Sequence, residues 1–315
     1  MAANVKSNAF FQSLGGAEVN FDYGQITFVT TGLVVEAPTS LGVIQAGFAL
    51  PESYTGSAAA GGHVALIDRT LSTDPFTSTV TRRASVDSAG IFQYLFIGNR
   101  QGTSTQARYA KLQVRGFGEI ELQWGDYDFS GTALTVEVPT LLTNVQCAVA
   151  TLDKHTDSAG TGENVLFCDR TVSAGSGGAA GGAVTMERRV SGGSGDGFNY
   201  LFVGGAMSSW PDTDTAGQSV VVEMESRGGE PVYVQFGHDN FSSTDTVLEV
   251  STPLTSIQCV IALPEVYGAS AGNGENVMFS DRTVTTVGQN PAVTLARKVG
   301  TGSGDGFSYV LIGQK

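Results

Sequence analysis

Three copies of Asp-Arg-Thr are the most regular polar feature of the chain: Asp68-Arg69-Thr70, Asp169-Arg170-Thr171 and Asp281-Arg282-Thr283. A carboxylate beside a guanidinium can hold a polar ligand, or it can lock a turn through an ion pair. Adjacent residues of a strand face opposite ways, so the two side chains should meet different partners. Arg188 or Arg297 would suit the Asp. A bridge or turn lock is the expected role, with ligand binding as the alternative.

Other chemistry is harder to assemble. His63, His155 and His238 are the only histidines, and none repeats at an equivalent position. No Gly-x-Ser-x-Gly elbow and no His-Glu-x-x-His stretch occurs, which argues against Ser/His/Asp and zinc-protease chemistry. The runs Ser191–Gly197 and Thr301–Gly306 lack the Lys-Ser/Thr of a phosphate loop and precede a strand, so they read as hairpin connections. Asp153, Asp157 and Glu163 flank one glycine-bearing loop and Asp212 and Asp214 sit in another, but neither shows an established calcium spacing. Trp124, Tyr127 and Phe129, with their equivalents Phe236 and Phe241, suit core packing better than glycan stacking. Trp210, followed by Pro211, lies in a join between copies. The sequence therefore predicts no catalytic, cofactor-binding or metal-ligating residue, and no enzyme.

The elements that position these residues are repeated. Offsets of 101 and 112 residues relate Asp68, Asp169 and Asp281, and the same offsets relate Gln45, Gln146 and Gln258. They also relate Tyr23-Gly24, Trp124-Gly125 and Phe236-Gly237, with no gap back to Gly15, Gly116 and Gly228. Downstream, Arg83, Arg189 and Lys298 correspond, each 11 residues before Tyr94, Tyr200 or Tyr309. A unit of this length is a domain rather than a solenoid turn. The expectation is an all-β chain of three tandem antiparallel β-sandwich domains related by internal repeat, jelly-roll or Ig-like, at 1–104, 105–216 and 217–315, each with its own core.

In the second copy seven strands are predicted, over Lys111–Arg115, Glu119–Trp124, Leu134–Val138, Val145–Thr151, Asn164–Val172, Val184–Val190 and Phe198–Val203. Glu119–Trp124 alternates polar and apolar residues, as a half-buried strand does. Pro38, Pro139 and Pro253 end the third strand. The last strand differs, because both of its faces are apolar. Phe92, Tyr94 and Phe96 oppose Leu95 and Ile97; Phe198, Tyr200 and Phe202 oppose Leu201 and Val203; Phe307, Tyr309 and Leu311 oppose Val310 and Ile312. Such a strand must be covered twice, once by its sandwich and once by a neighbouring domain or another subunit. The arm Met1–Phe11, with Phe10 and Phe11 as aromatic anchors, is a further expected contact.

Hydrophobic residues make up 41% of the chain and charged ones 15%, with a net charge of −13. No basic excess suggests nucleic acid. No run of about 18 apolar residues suggests a transmembrane helix, and the start lacks the apolar core of a secretory signal. Cys147 and Cys259 share a repeat position filled by Ala46, as in a small buried slot, and Cys168 matches Ile67 and Ser280. Free thiols in a reducing cytoplasm are expected.

An acidic β-rich chain with Gly/Ser/Thr/Ala loops, tandem sandwiches and a terminal Phe-Ser-Tyr-Val-Leu-Ile-Gly strand resembles, in class, the structural proteins of tailed-bacteriophage particles. The resemblance implies a non-enzymatic capsid decoration (cement) protein. The alternative is a tail or fibre component, or a surface adhesin for host carbohydrate. It also implies a virion location after assembly in the host cytoplasm. Partners would be the major capsid protein or tail proteins and copies of the chain itself, without nucleic acid or membrane. Three domains in one chain would then mimic a trimer.

Overall fold

The computed structural model describes residues 6–29, 32–53, 64–72, 76–82, 90–100, 108–115, 117–153, 166–174, 182–188, 196–205, 217–242, 245–265, 277–287, 290–297 and 305–315. Every regular element among them is a strand. The first repeat holds β1 (Lys6–Gln12), β2 (Glu18–Phe28), β3 (Val34–Pro38), β4 (Val43–Pro51), β5 (Ala65–Leu71), β6 (Thr77–Arg82) and β7 (Gly90–Asn99). The second holds β8 (Tyr109–Val114), β9 (Gly118–Asp128), β10 (Thr135–Thr140), β11 (Cys147–Leu152), β12 (Leu166–Ala174), β13 (Gly182–Arg188) and β14 (Gly197–Gly205). The third holds β15 (Gln218–Ser226), β16 (Val232–Phe241), β17 (Val247–Ser251), β18 (Ser256–Pro264), β19 (Met278–Phe279), β20 (Val284–Val287), β21 (Asn290–Arg297) and β22 (Asp305–Gln314). Between the first two strands of the second and third repeats, Gly118 has φ 108° and Gly229 φ 88°, a region glycine enters without a Cβ clash.

One pairing scheme recurs. The ladder β1–β2–β7–β4 returns as β8–β9–β14–β11 and as β15–β16–β22–β18. The ladder β3–β6–β5 returns as β10–β13–β12 and as β17–β21–β19, with β20 also on β21. Within each repeat the second strand pairs the last and the third pairs the one before the last. This nesting is that of a folded-over hairpin, so of the two topologies left open the jelly roll describes it.

The repeats are not separate. β1 pairs β15, which fuses two inner ladders into one eight-stranded sheet. β5 meets β11 in parallel at Leu66 and Leu152, which fuses an outer ladder to the next inner one. The packing is cyclic. β4 lies on β9 and β14, β11 lies on β16 and β22, and β18 lies on β2 and β7. β4, β11 and β18 also touch one another, so the fourth strands meet about a common pseudo-threefold axis.

This arrangement explains the two-faced last strand. Phe92, Tyr94 and Phe96 of β7 pack with Ile26, Phe28, Ile67 and Val80 inside the first sandwich. Leu95 and Ile97, on the opposite face, join one continuous apolar cluster running from Ala9 to Ile312. Leu95, Leu201 and Val310 are each 0% exposed. The second cover is a neighbouring repeat of the same chain; the first sandwich keeps a core cluster of its own, while the apolar interiors of the second and third run into the shared cluster.

Of the expected arm Met1–Phe11, residues 1–5 lie outside the described residues. Lys6–Gln12 is β1, paired along its length with β2. Phe11 is buried and meets Phe21 edge-on at 6.0 Å, while Phe10 lies 4.9 Å beneath the Arg227 guanidinium of the third repeat. Both aromatics are engaged inside the chain.

Candidate functional site

The Asp-Arg-Thr copies sit where each outer ladder loses register. Pairing shifts between Ile67 and Leu71 and between Asp169 and Val172, and in the third copy the strand divides into β19 and β20. A bulge of this kind re-aims a side chain. Arg282 there has φ 65°, unusual for a non-glycine residue. Each Asp closes the bulge as a local cap. The Oδ1 atoms of Asp68, Asp169 and Asp281 accept from the backbone N–H of Thr70, Thr171 and Thr283 at 2.8, 2.9 and 3.0 Å. The expected pairing of the Asp with Arg188 or Arg297 is therefore corrected. Arg188 pairs with Asp196, and the Nε of Arg297 donates to the Asp245 carbonyl.

Each Arg reaches into the next repeat. Arg69 meets Asp126 at 2.9 Å and Asp153 at 3.6 Å. Arg170 meets Glu265 at 2.5 Å, and Arg282 meets Glu52 at 2.7 Å. Glu52, Asp153 and Glu265 occupy one repeat position at the end of the fourth strand. The pairs thus run first to second, second to third and third to first. A second position lies beside them: Gln25 donates to Glu52, Asp126 holds Arg69, and His238 Nδ1 lies 3.1 Å from the Gln146 carbonyl oxygen. Burial pushes the Glu265 carboxyl above the usual carboxylate range, against the opposing pull of Arg170.

These residues line matching clefts. One, of about 500 Å³, is bounded by Ile44, Asp68, Arg69, Thr70 and Asp153. Its counterpart, of about 380 Å³, includes Val145, Asp169, Arg170, Thr171 and Glu265. Their chemistry is that of charge pairs closing a seam. Asp153, considered for calcium, is engaged by Arg69; Asp157, Glu163, Asp212 and Asp214 lie outside the described residues. Among the described residues no group of three or more His, Cys, Asp or Glu gathers as metal ligands. His63, His155, Trp210, Arg83, Arg189, Lys298 and most of both glycine runs also lie outside them. On the axis, the ends of the fourth strands surround an apolar cavity of about 80 Å³ lined in part by Leu50, Leu152 and Leu263.

A second ring of contacts lies deeper. Trp124 is no surface platform: it is buried, and its indole Nε1 donates to Gln45 Oε1 at 2.9 Å. Tyr23 donates its hydroxyl to Gln258 Oε1 at 3.0 Å. The matching residue on the remaining seam is Phe236, which has no donor, and Gln146 Oε1 is buried without a partner. An unmet buried acceptor costs about 1–3 kcal/mol, and a new hydrogen bond returns about 1 kcal/mol. Phe236→Tyr should therefore raise the unfolding free energy by about 1 kcal/mol in a urea titration, whereas Tyr23→Phe should lower it by a similar amount.

Two of the three cysteines bond across the same seams. Cys147 Sγ donates to the Tyr309 carbonyl at 3.3 Å and Cys259 Sγ to that of Tyr94 at 3.4 Å. All three thiols are free and buried. Burial pushes Cys147 up to about 12 and raises Cys168 and Cys259 as well. The thiolate is the reactive form. A chromogenic disulfide reagent at neutral pH should find no thiol in the native chain and all three after denaturation.

No protein-family model, curated protein or solved structure matches the chain.

Proposed function

We propose that this chain is a non-enzymatic structural protein of a viral particle, a capsid decoration or cement protein that stabilises the shell. The supporting observation is the cyclic seam. Arg69, Arg170 and Arg282 each pair with the following repeat, so one chain presents three related sectors about an axis. A shell offers the complementary geometry wherever three equivalent or quasi-equivalent subunits meet. One contact per sector then multiplies a modest interface into a firm one, since specific interfaces bury about 1,600 Å² in total. The last strands are set aside as the contact, because both of their faces are covered within the chain. Partners on this reading are the major capsid protein or tail proteins, and the location is the virion.

The test is immunogold labelling of particles banded on a density gradient from the organism that encodes the chain. Label arrayed on particles, at positions with local threefold symmetry, supports the reading. Chain recovered only in the soluble fraction of particle-producing cultures overturns it.

A further inference from the structure

If the chain decorates a particle, some surface must dock, and this inference rests on that reading. We propose that β3, β10 and β17 are docking edges, each taking an extended basic segment of a partner chain as an added strand. All three end their sheets among the described residues. A terminal strand presents a row of backbone donors and acceptors that another strand can use. The remaining sheet-ending strands of the fourth position, β4 and β18, are buried about the axis instead.

The three edges share one face pattern. In Val34–Pro38, Thr135–Thr140 and Val247–Ser251 the first and third residues are exposed and the fourth is buried. The third residue is Glu36, Glu137 or Glu249, at the same repeat position. Exposed aliphatics accompany it: Val34 at 56%, Val247 at 53% and, one residue before β10, Leu134 at 48%. Thr77 Oγ1 and Thr79 Oγ1 donate to Glu36 at 2.7 and 3.1 Å, and Thr285 Oγ1 donates to Glu249 at 3.3 Å.

Charge selects the occupant. Like charges on facing strands are destabilising and opposite charges stabilising. Antiparallel pairing of one such edge with its copy brings Glu toward Glu, so a second copy of this chain is disfavoured. A strand with Lys or Arg at its centre, flanked by small and β-branched residues, meets the Glu with opposite charge and covers the aliphatics. The same residue thus blocks self-pairing and admits the partner.

The probe is a nine-residue peptide, Thr-Val-Thr-Val-Lys-Val-Thr-Val-Thr, titrated into the ¹⁵N-labelled full chain. Amide shifts confined to residues 34–38, 135–140 and 247–251 are expected. The same peptide with a central Glu should bind about two- to fivefold more weakly. The combined substitution Glu36→Lys, Glu137→Lys and Glu249→Lys should reverse that order. A Lys peptide N-methylated on alternate amides, unable to extend a ladder, should lose the shifts. Shifts elsewhere, equal shifts from the methylated peptide, or none at millimolar peptide would overturn the inference. Particle labelling that persists undiminished in the triple variant would sink the docking edges while leaving the decoration reading intact. Edge binding by a chain never found on particles would do the reverse.

Discussion

Arg188→Ala is expected to lower the unfolding free energy by about 3–5 kcal/mol, the cost of breaking a buried ion pair by removing one partner. Both side chains of the Arg188–Asp196 pair are 0% exposed, with 2.5 Å between Nη1 and Oδ2. The guanidinium also donates from Nε to the Ala133 carbonyl and from Nη2 to that of Gly131, each at 2.8 Å. It stacks 4.6 Å from the centre of the Phe129 ring. The substitution therefore removes the counter-charge of a buried carboxylate, two donors and a ring contact at once. Arg188→Lys keeps the charge but not the fork, so it should recover only part of the loss. Urea titration of the three proteins checks this. A loss below about 1 kcal/mol, the range of exposed pairs, would show that the pair is not sealed from water.

Leu201→Ala should cost about 2–5 kcal/mol, as large-to-small changes in packed cores do. The size of the effect is less informative than its reach. Leu201 lies in β14, which packs on β4 of the first repeat, and it belongs to the cluster shared by all three. Loosening it weakens two repeats together. The chain should still unfold in one transition, shifted as a whole, with fluorescence and far-UV circular dichroism coincident. Leu95→Ala, at the equivalent face of β7, should behave alike. Separate transitions, with only one displaced, would mean that the sandwiches are energetically independent.

Much of the fold was legible because packed elements resist insertion. The gapless offsets placed equivalent strands, and the doubly apolar last strand signalled two covers. What was misjudged concerned partners distant in sequence. The acid that receives each Arg lies in the next repeat, before a stretch of constant length whose composition varies. Yet Glu52, Asp153 and Glu265 hold one repeat position, and that pattern was available. Trp124 shares its position with Tyr23 and Phe236, an aromatic slot that marks interior rather than surface. Phe11 aligns with Leu112 and Met224, all buried, which is the signature of an ordinary first strand and not of a free arm. The Arg82, Arg188 and Arg297 stacks over Phe28, Phe129 and Phe241 were missed because a buried guanidinium has no periodic signature of its own.

The ring closes without a covalent link where β1 meets β15, pairing Ala9 with Ser226. Facing Cα atoms of antiparallel strands lie about 4.5–5.5 Å apart, within disulfide reach. Mild oxidation of a chain carrying Ala9→Cys and Ser226→Cys, followed by peptide mapping, tests the closure directly. The predicted result is a disulfide within one monomer, formed in high yield at low protein concentration. A bond formed only between chains, or none at all, would contradict a closed pseudo-threefold ring.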